Sequence, residues 1–205
     1  MMFLNEQERE QITQAIKQAE KLTSCEIVVT EIAQCDDYKS ARYAWGILWG
    51  LLGGLIVYLF VPYVDWQFIL AEVIGFFIGF TIASMIPAIN RFLVSKDKMA
   101  DEVHNRALAE FYQQGLYKTK EENGILIMLA VFEKMVVVLG DKGVNAKVSP
   151  DYWHKMKDQI IEGIKHNRAG MAIAEAIKAN ANELKAHFPY KSDDKDELPD
   201  TVVTK

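Results

Sequence analysis

The stretch from Tyr43 to Ile89 constrains this chain more than any other feature, because Asp65 and Glu72 are its only charges. It divides into two apolar runs, Tyr43–Val64 and Val73–Ile89, the second extended back to Trp66 by Trp66–Ala71. A helix rises about 1.5 Å per residue, and crossing ~30 Å of hydrocarbon takes roughly 17–25 residues. The two segments, 43–64 and 66–89, therefore read as antiparallel transmembrane helices joined by a very short turn at Asp65, a membrane hairpin over 43–90. Gly46, Gly50 and Gly54 recur every four residues on the first helix, and Gly75, Gly79 and Ala83 do so on the second. Such small-residue seams let helix backbones approach closely in lipid. The seams are expected to face each other or a second copy of the chain, which makes a homo-oligomer one expected assembly. Glu72 lies three residues before Gly75, near the same seam. Its proximity to the turn favours pairing across the hairpin, or reaching the interface, over a functional role inside the membrane. Trp45, Trp49, Tyr63 and Trp66 suit the membrane interface.

Basic residues flank both ends of the hairpin (Lys39 and Arg42 before; Arg91, Lys96 and Lys98 after) and are absent from its tip. The positive-inside rule then sets a multi-pass protein in the inner (plasma) membrane with both termini cytoplasmic. The opening residues, rich in Glu, Gln and Lys, have no apolar core of a signal peptide. Cys25 and Cys35 belong to a reducing compartment, where no disulfide is expected. Their spacing fits no zinc pattern.

The remaining chain, residues 1–41 plus 92–205, is long enough at about 155 residues for one discontinuous cytoplasmic domain with its own core. The whole sequence has 23 basic and 28 acidic residues, and setting aside Asp65 and Glu72 leaves this part close to charge balance. It lacks the basic patch that a nucleic-acid surface needs. Asn5 and Glu8 form a capping box ahead of an amphipathic helix over 5–22. Cys25–Ala33, Gly124–Val131 and Met135–Leu139 read as strands, the last two as a hairpin around Phe132–Lys134. Amphipathic helices are expected over 95–114, Pro150–Ile164 and Ala169–Ala186, with a loop at Gly140–Gly143 and an extended tail from His187. The fold class is α/β, a small mixed sheet with helices on its faces, interrupted by the two-helix transmembrane hairpin.

If the first two strands are parallel with 95–114 as their crossover, then Glu26, Asn123 and Asp141 share one sheet edge. Two carboxylates and an amide there can hold a hard cation, Ca²⁺ or Mg²⁺. Turn chemistry alone explains Asn-Gly and Asp-Lys-Gly equally simply. His104, His154, His166 and His187 follow no ligand spacing, Trp153 belongs to a core stripe, and Asp193, Asp194, Asp196 and Glu197 read as a solvated tail. No nucleophile elbow, phosphate-binding glycine loop or HExxH is present.

The segments TSCEIVV (Thr23–Val29), Ala107 with Phe111, Thr119 with Asn123-Gly124, LGDKGV (Leu139–Val144), Trp153 and HFP…DELPD (His187–Asp200) resemble the TPM domain family. The resemblance implies an α/β/α sandwich. It also implies membrane association, with plant thylakoid relatives linked to photosystem repair and others described as acid phosphatases or binders of divalent cations. It matches Glu26, Asn123, Asp141 and Gly143 to the family's polar positions. The hairpin inside the domain, Cys25 and Asp196 depart from the family pattern. The resulting expectation is a non-catalytic module that binds the lipid bilayer and a membrane-protein partner in assembly or quality control. A weak divalent-metal-dependent acid phosphatase is the alternative.

Overall fold

The computed structural model describes residues 3–61, 66–190, 198 and 201–205. They form two compact units, one of residues 1–35 and 100–205 and one of residues 36–99.

The first unit is built on a four-stranded sheet. Strands β1 (Glu26–Ile32), β2 (Gly124–Ala130), β3 (Met135–Gly140) and β4 (Val203–Thr204) lie in the order β3-β2-β1-β4. β1 runs parallel to β2, with Glu26 opposite Gly124 and Ile32 opposite Ala130. β2 and β3 form an antiparallel hairpin, as their spacing predicts. Helices α1 (Glu6–Glu20), α7 (Pro150–Lys165) and α8 (Ala169–Leu184) cover one face. Their Ile12, Ile16, Met156, Ile160, Ile173 and Ile177 pack on Ile27, Val29, Ile125 and Ile127. The other face takes Val103, Ala107 and Phe111 of helix α5 (Lys96–Gln113), with Leu116, against Val28, Ile32, Leu126 and Met128. Burial on both sides is why β2 reads as an unbroken apolar run rather than an alternating one. The protein is thus a mixed α/β fold, and this unit is an α/β/α sandwich.

The Asn5 capping box is present: Asn5 Oδ1 accepts from Glu8 N–H at 2.9 Å, and Glu8 Oε2 accepts from Asn5 N–H at 3.0 Å. Two elements depart from expectation. The loop at Gly140–Gly143 leads directly into a one-turn helix, α6 (Lys142–Asn145), capped by Asp141. The tail returns as β4 on the open edge of β1, where Lys205 N–H donates to Glu31 O at 3.0 Å and Ala33 N–H to Lys205 O at 2.9 Å.

In the second unit, α2 (Lys39–Phe60) and α3 (Trp66–Met85) are each long and apolar enough to span a membrane. Contacts pairing Gly46 with Phe76, Gly54 with Glu72 and Phe68, and Gly79 with Trp45 and Trp49 make them antiparallel. The glycine seams face each other: a Cβ on Gly75 would strike the Trp49 carbonyl, and one on Gly50 would sit 2.9 Å from the Glu72 carbonyl. Leu55, Phe60 and Phe77 point outward, 50 %, 80 % and 61 % exposed, whereas the glycines are buried. The second span stops at Met85 rather than Ile89 because Pro87 cannot donate to the helix ladder and biases Ile86 away from helical geometry. A short helix, α4 (Pro87–Asn90), follows, tied back by Asn90 Nδ2 donating to Ala83 O at 3.1 Å. Val64, Asp65 and Tyr63, and the expected turn they form, lie outside the described residues.

Candidate functional site

The residues singled out from the sequence converge on the backbone of Gly124. Glu26 pairs with Gly124 across the parallel ladder, Asn123 precedes it, and Asp141 N–H donates to its carbonyl at 2.8 Å. Glu26 shares its side of the sheet with Gly124, a position without a side chain, and Asp141 meets that glycine through its backbone just past the end of β3. Leu116 fills the space above that glycine, its Cδ2 lying 2.8 Å from where a Cβ would stand.

Asn123 and Asp141 each have a local task. Asn123 Nδ2 donates to the Ser24 carbonyl, and its backbone N–H donates to Thr119 Oγ1 at 3.1 Å. Thr119 Oγ1 in turn donates to Leu116 O at 3.1 Å, closing the loop between the 3-10 turn at Leu116–Lys118 and β2. Asp141 Oδ1 accepts from Lys142 N–H at 2.7 Å as the α6 cap. Its Oδ2 is buried and meets no hydrogen-bond donor among the described residues. Glu26 is 7 % exposed. Gly143, the fourth matched position, lies against the 119–123 loop, its N–H donating to Glu122 O at 2.9 Å. A side chain there would collide with the Glu121 and Glu122 carbonyls, so close backbone approach explains the glycine.

As a test of fit for a divalent cation, this donor set is split. Asn123 donates Nδ2 to Ser24, which leaves only its Oδ1 as a ligand atom, Asp141 spends one oxygen on a cap, and apolar Leu116 stands over Gly124. Among the described residues no group of three or more His, Cys, Asp or Glu is arranged to hold a metal ion. The buried Asp141 Oδ2 suits a cation. His104, His154, His166 and His187 are all exposed, and Trp153 packs at the core edge with its indole N–H on Asn145 Oδ1 at 2.8 Å. The acidic positions Asp193, Asp194, Asp196 and Glu197 lie outside the described residues.

Three buried carboxylates were not anticipated, and each secures a chain crossing. Glu31, 2 % exposed, accepts from Arg9 Nη2 at 2.6 Å and from the Phe3 and Leu4 backbone N–H groups. Glu110, fully buried, takes Arg106 at 2.9 Å and Lys205 at 2.6 Å. Glu133 accepts from Cys35 N–H at 2.9 Å. Glu110 carried a visible signal, since it lies on the same helical stripe as Val103, Ala107 and Phe111. Burial, then the neighbouring Glu133 charge, pushes the Cys35 thiol up to about 12, so it is not a nucleophile at neutral pH. Burial likewise raises Tyr152, with Glu183 and Cys25 adding to it.

Comparison with curated protein sequences gives no match. The TPM domain family model matches residues 88–183. The NMR structure of the BA42 protein from the psychrophilic bacterium Bizionia argentinensis is similar to this chain at 26 % identity and a TM-score of 0.61, over 99 % of this chain and 96 % of that one. The matched segment, residues 88–183, and the similar structure agree with the sandwich architecture and with the resemblance read from the sequence.

Proposed function

We propose that this protein is an integral inner-membrane protein whose TPM domain works in the cytoplasm as a non-catalytic binding module in assembly or quality control of membrane complexes. The carrying observation is the inverted packing of α2 and α3, with glycines inside and large apolar side chains outside, a pattern suited to lipid. The basic flanks and a tip without basic residues support cytoplasmic ends. The commitment of Glu31, Glu110 and Glu133 to structural pairs, and the apolar cover over Gly124, support binding over catalysis. The test combines topology with partnership. A cysteine placed at Val64 should react with an impermeant maleimide from outside, tagged termini should be reachable only from inside, and cross-linking in intact membranes should join the domain to another membrane protein. Carbonate-extractable protein, or cross-links only to itself, overturns the reading.

The buried Asp141 Oδ2 favours a second reading, a divalent-metal-dependent acid phosphatase. Glu26 and Asp141 would hold Ca²⁺ or Mg²⁺, and the cation would offset charge on a phosphoryl group. Calorimetric titration with both cations and turnover of a phosphate ester, each unchanged by Asp141→Ala, would end it.

A further inference from the structure

At the end of the sheet opposite Glu26, the β2–β3 hairpin and the C-terminal half of α7 diverge and leave a cleft of about 490 Å³ within the first unit. Its walls are hydrocarbon: Phe3, Met135, Ile161 and Ile164 open into it, none of them fully buried. Two exposed ammonium groups, Lys134 and Lys165, complete the lining, and no carboxylate belongs to it. Lys134 has no ion-pair partner among the described residues, and Lys165 makes only a solvent-exposed pair with Glu162 at 3.3 Å. Such surface pairs are weak and exchange readily.

An apolar cleft of this size with a few convergent polar groups has the form of a small-molecule site. We infer that it binds the acyl chain of a long-chain fatty acid anion, with the carboxylate held by Lys134 and Lys165. The lining selects this occupant. A peptide would carry backbone polar groups into hydrocarbon that offers them few partners, whereas an unbranched chain carries none. An anionic head satisfies the two lysines, and a neutral or cationic one does not. This inference uses the first unit alone and does not depend on where α2 and α3 reside.

The test uses the full chain in nanodiscs of zwitterionic phosphatidylcholine, with a fatty acid bearing a diazirine near its methyl end. Adducts mapped by mass spectrometry should fall on segments 129–136 and 161–165. Unlabelled acid should compete, and its methyl ester should not. Competition should strengthen by up to about tenfold for each two methylenes added. Lys134→Glu with Lys165→Glu, both on the surface, should weaken it at least about tenfold while the circular dichroism spectrum is retained. Adducts confined to α2 and α3, equal competition by the ester, or unchanged labelling of the double variant would overturn the inference. Cross-links through the cleft between two copies would do so as well, by assigning it to a second copy of the chain.

Discussion

Arg9 shows how much one side chain can govern here. Its guanidinium meets Glu31 at 2.6 Å, donates to the Leu4 carbonyl at 3.1 Å and reaches Thr204 of the returning tail. Removing it leaves a carboxylate that is 2 % exposed with backbone donors only. Arg9→Met should therefore cost about 3 kcal/mol in urea unfolding, and adding Glu31→Leu should recover most of that, because the loss comes from a stranded charge. Cys35 makes a second prediction. Its thiol rises from 9.0 to about 12 in the folded protein, so between those values the unfolded chain has lost a proton that the folded chain keeps. Stability must then fall as pH rises through that window, and Cys35→Ser should flatten the fall. Iodoacetamide should modify Cys35 at pH 8 much more slowly than it modifies a free thiol. Local cap chemistry was legible at this scale, as Asn5–Glu8 shows, whereas Gly143 lies inside α6 and serves a close backbone approach rather than a turn. The tasks of Glu31 and Glu110 were not legible, since their partners at Arg9 and Lys205 lie far away in sequence.

Among elements, periodicity located the strands to within about a residue because both sheet faces are buried, which leaves β1 and β2 buried throughout and β2 an unbroken apolar run. What the pattern missed follows from its limits. α6 is a single turn, too short to show a period, and β4 has two residues that acquire strand geometry only by pairing with Thr30 and Glu31. Helix α2 begins at Lys39, before the apolar run, because hydropathy marks the lipid-like segment and not the first hydrogen-bonded turn. The glycine seams were read correctly because small residues every four positions have few other uses between apolar helices. Gly75→Val should test them. The added side chain meets the Trp49 carbonyl and Gly50, and should lower hairpin stability in a denaturing-detergent titration by about 1–3 kcal/mol. Leu55→Val on the outward face should change it by less than about 0.5 kcal/mol.

For the molecule as a whole, the question is whether the sandwich needs the hairpin that interrupts it. Both hydrophobic clusters flanking the sheet are drawn entirely from residues of the first unit, from Leu4 to Val202. The parallel β1–β2 pairing and the crossover face of α5 are likewise internal to it, and the buried pairs Arg9–Glu31 and Lys205–Glu110 close its two ends. A loop insertion costs mainly closure entropy, which grows slowly with length, so residues 36–94 can act as a long excursion between β1 and α5. Replacing them with a flexible Gly/Ser linker of about ten residues, whose root-mean-square span is about 17 Å, should give a water-soluble domain. It should keep the β1–β2 amide hydrogen-exchange protection and unfold in one cooperative transition. Aggregation, or loss of protection along β1, would mean that the sandwich forms only with residues 36–94 in place. The soluble form also separates the functions: it should retain fatty-acid competition at the Lys134–Lys165 cleft and lose membrane association.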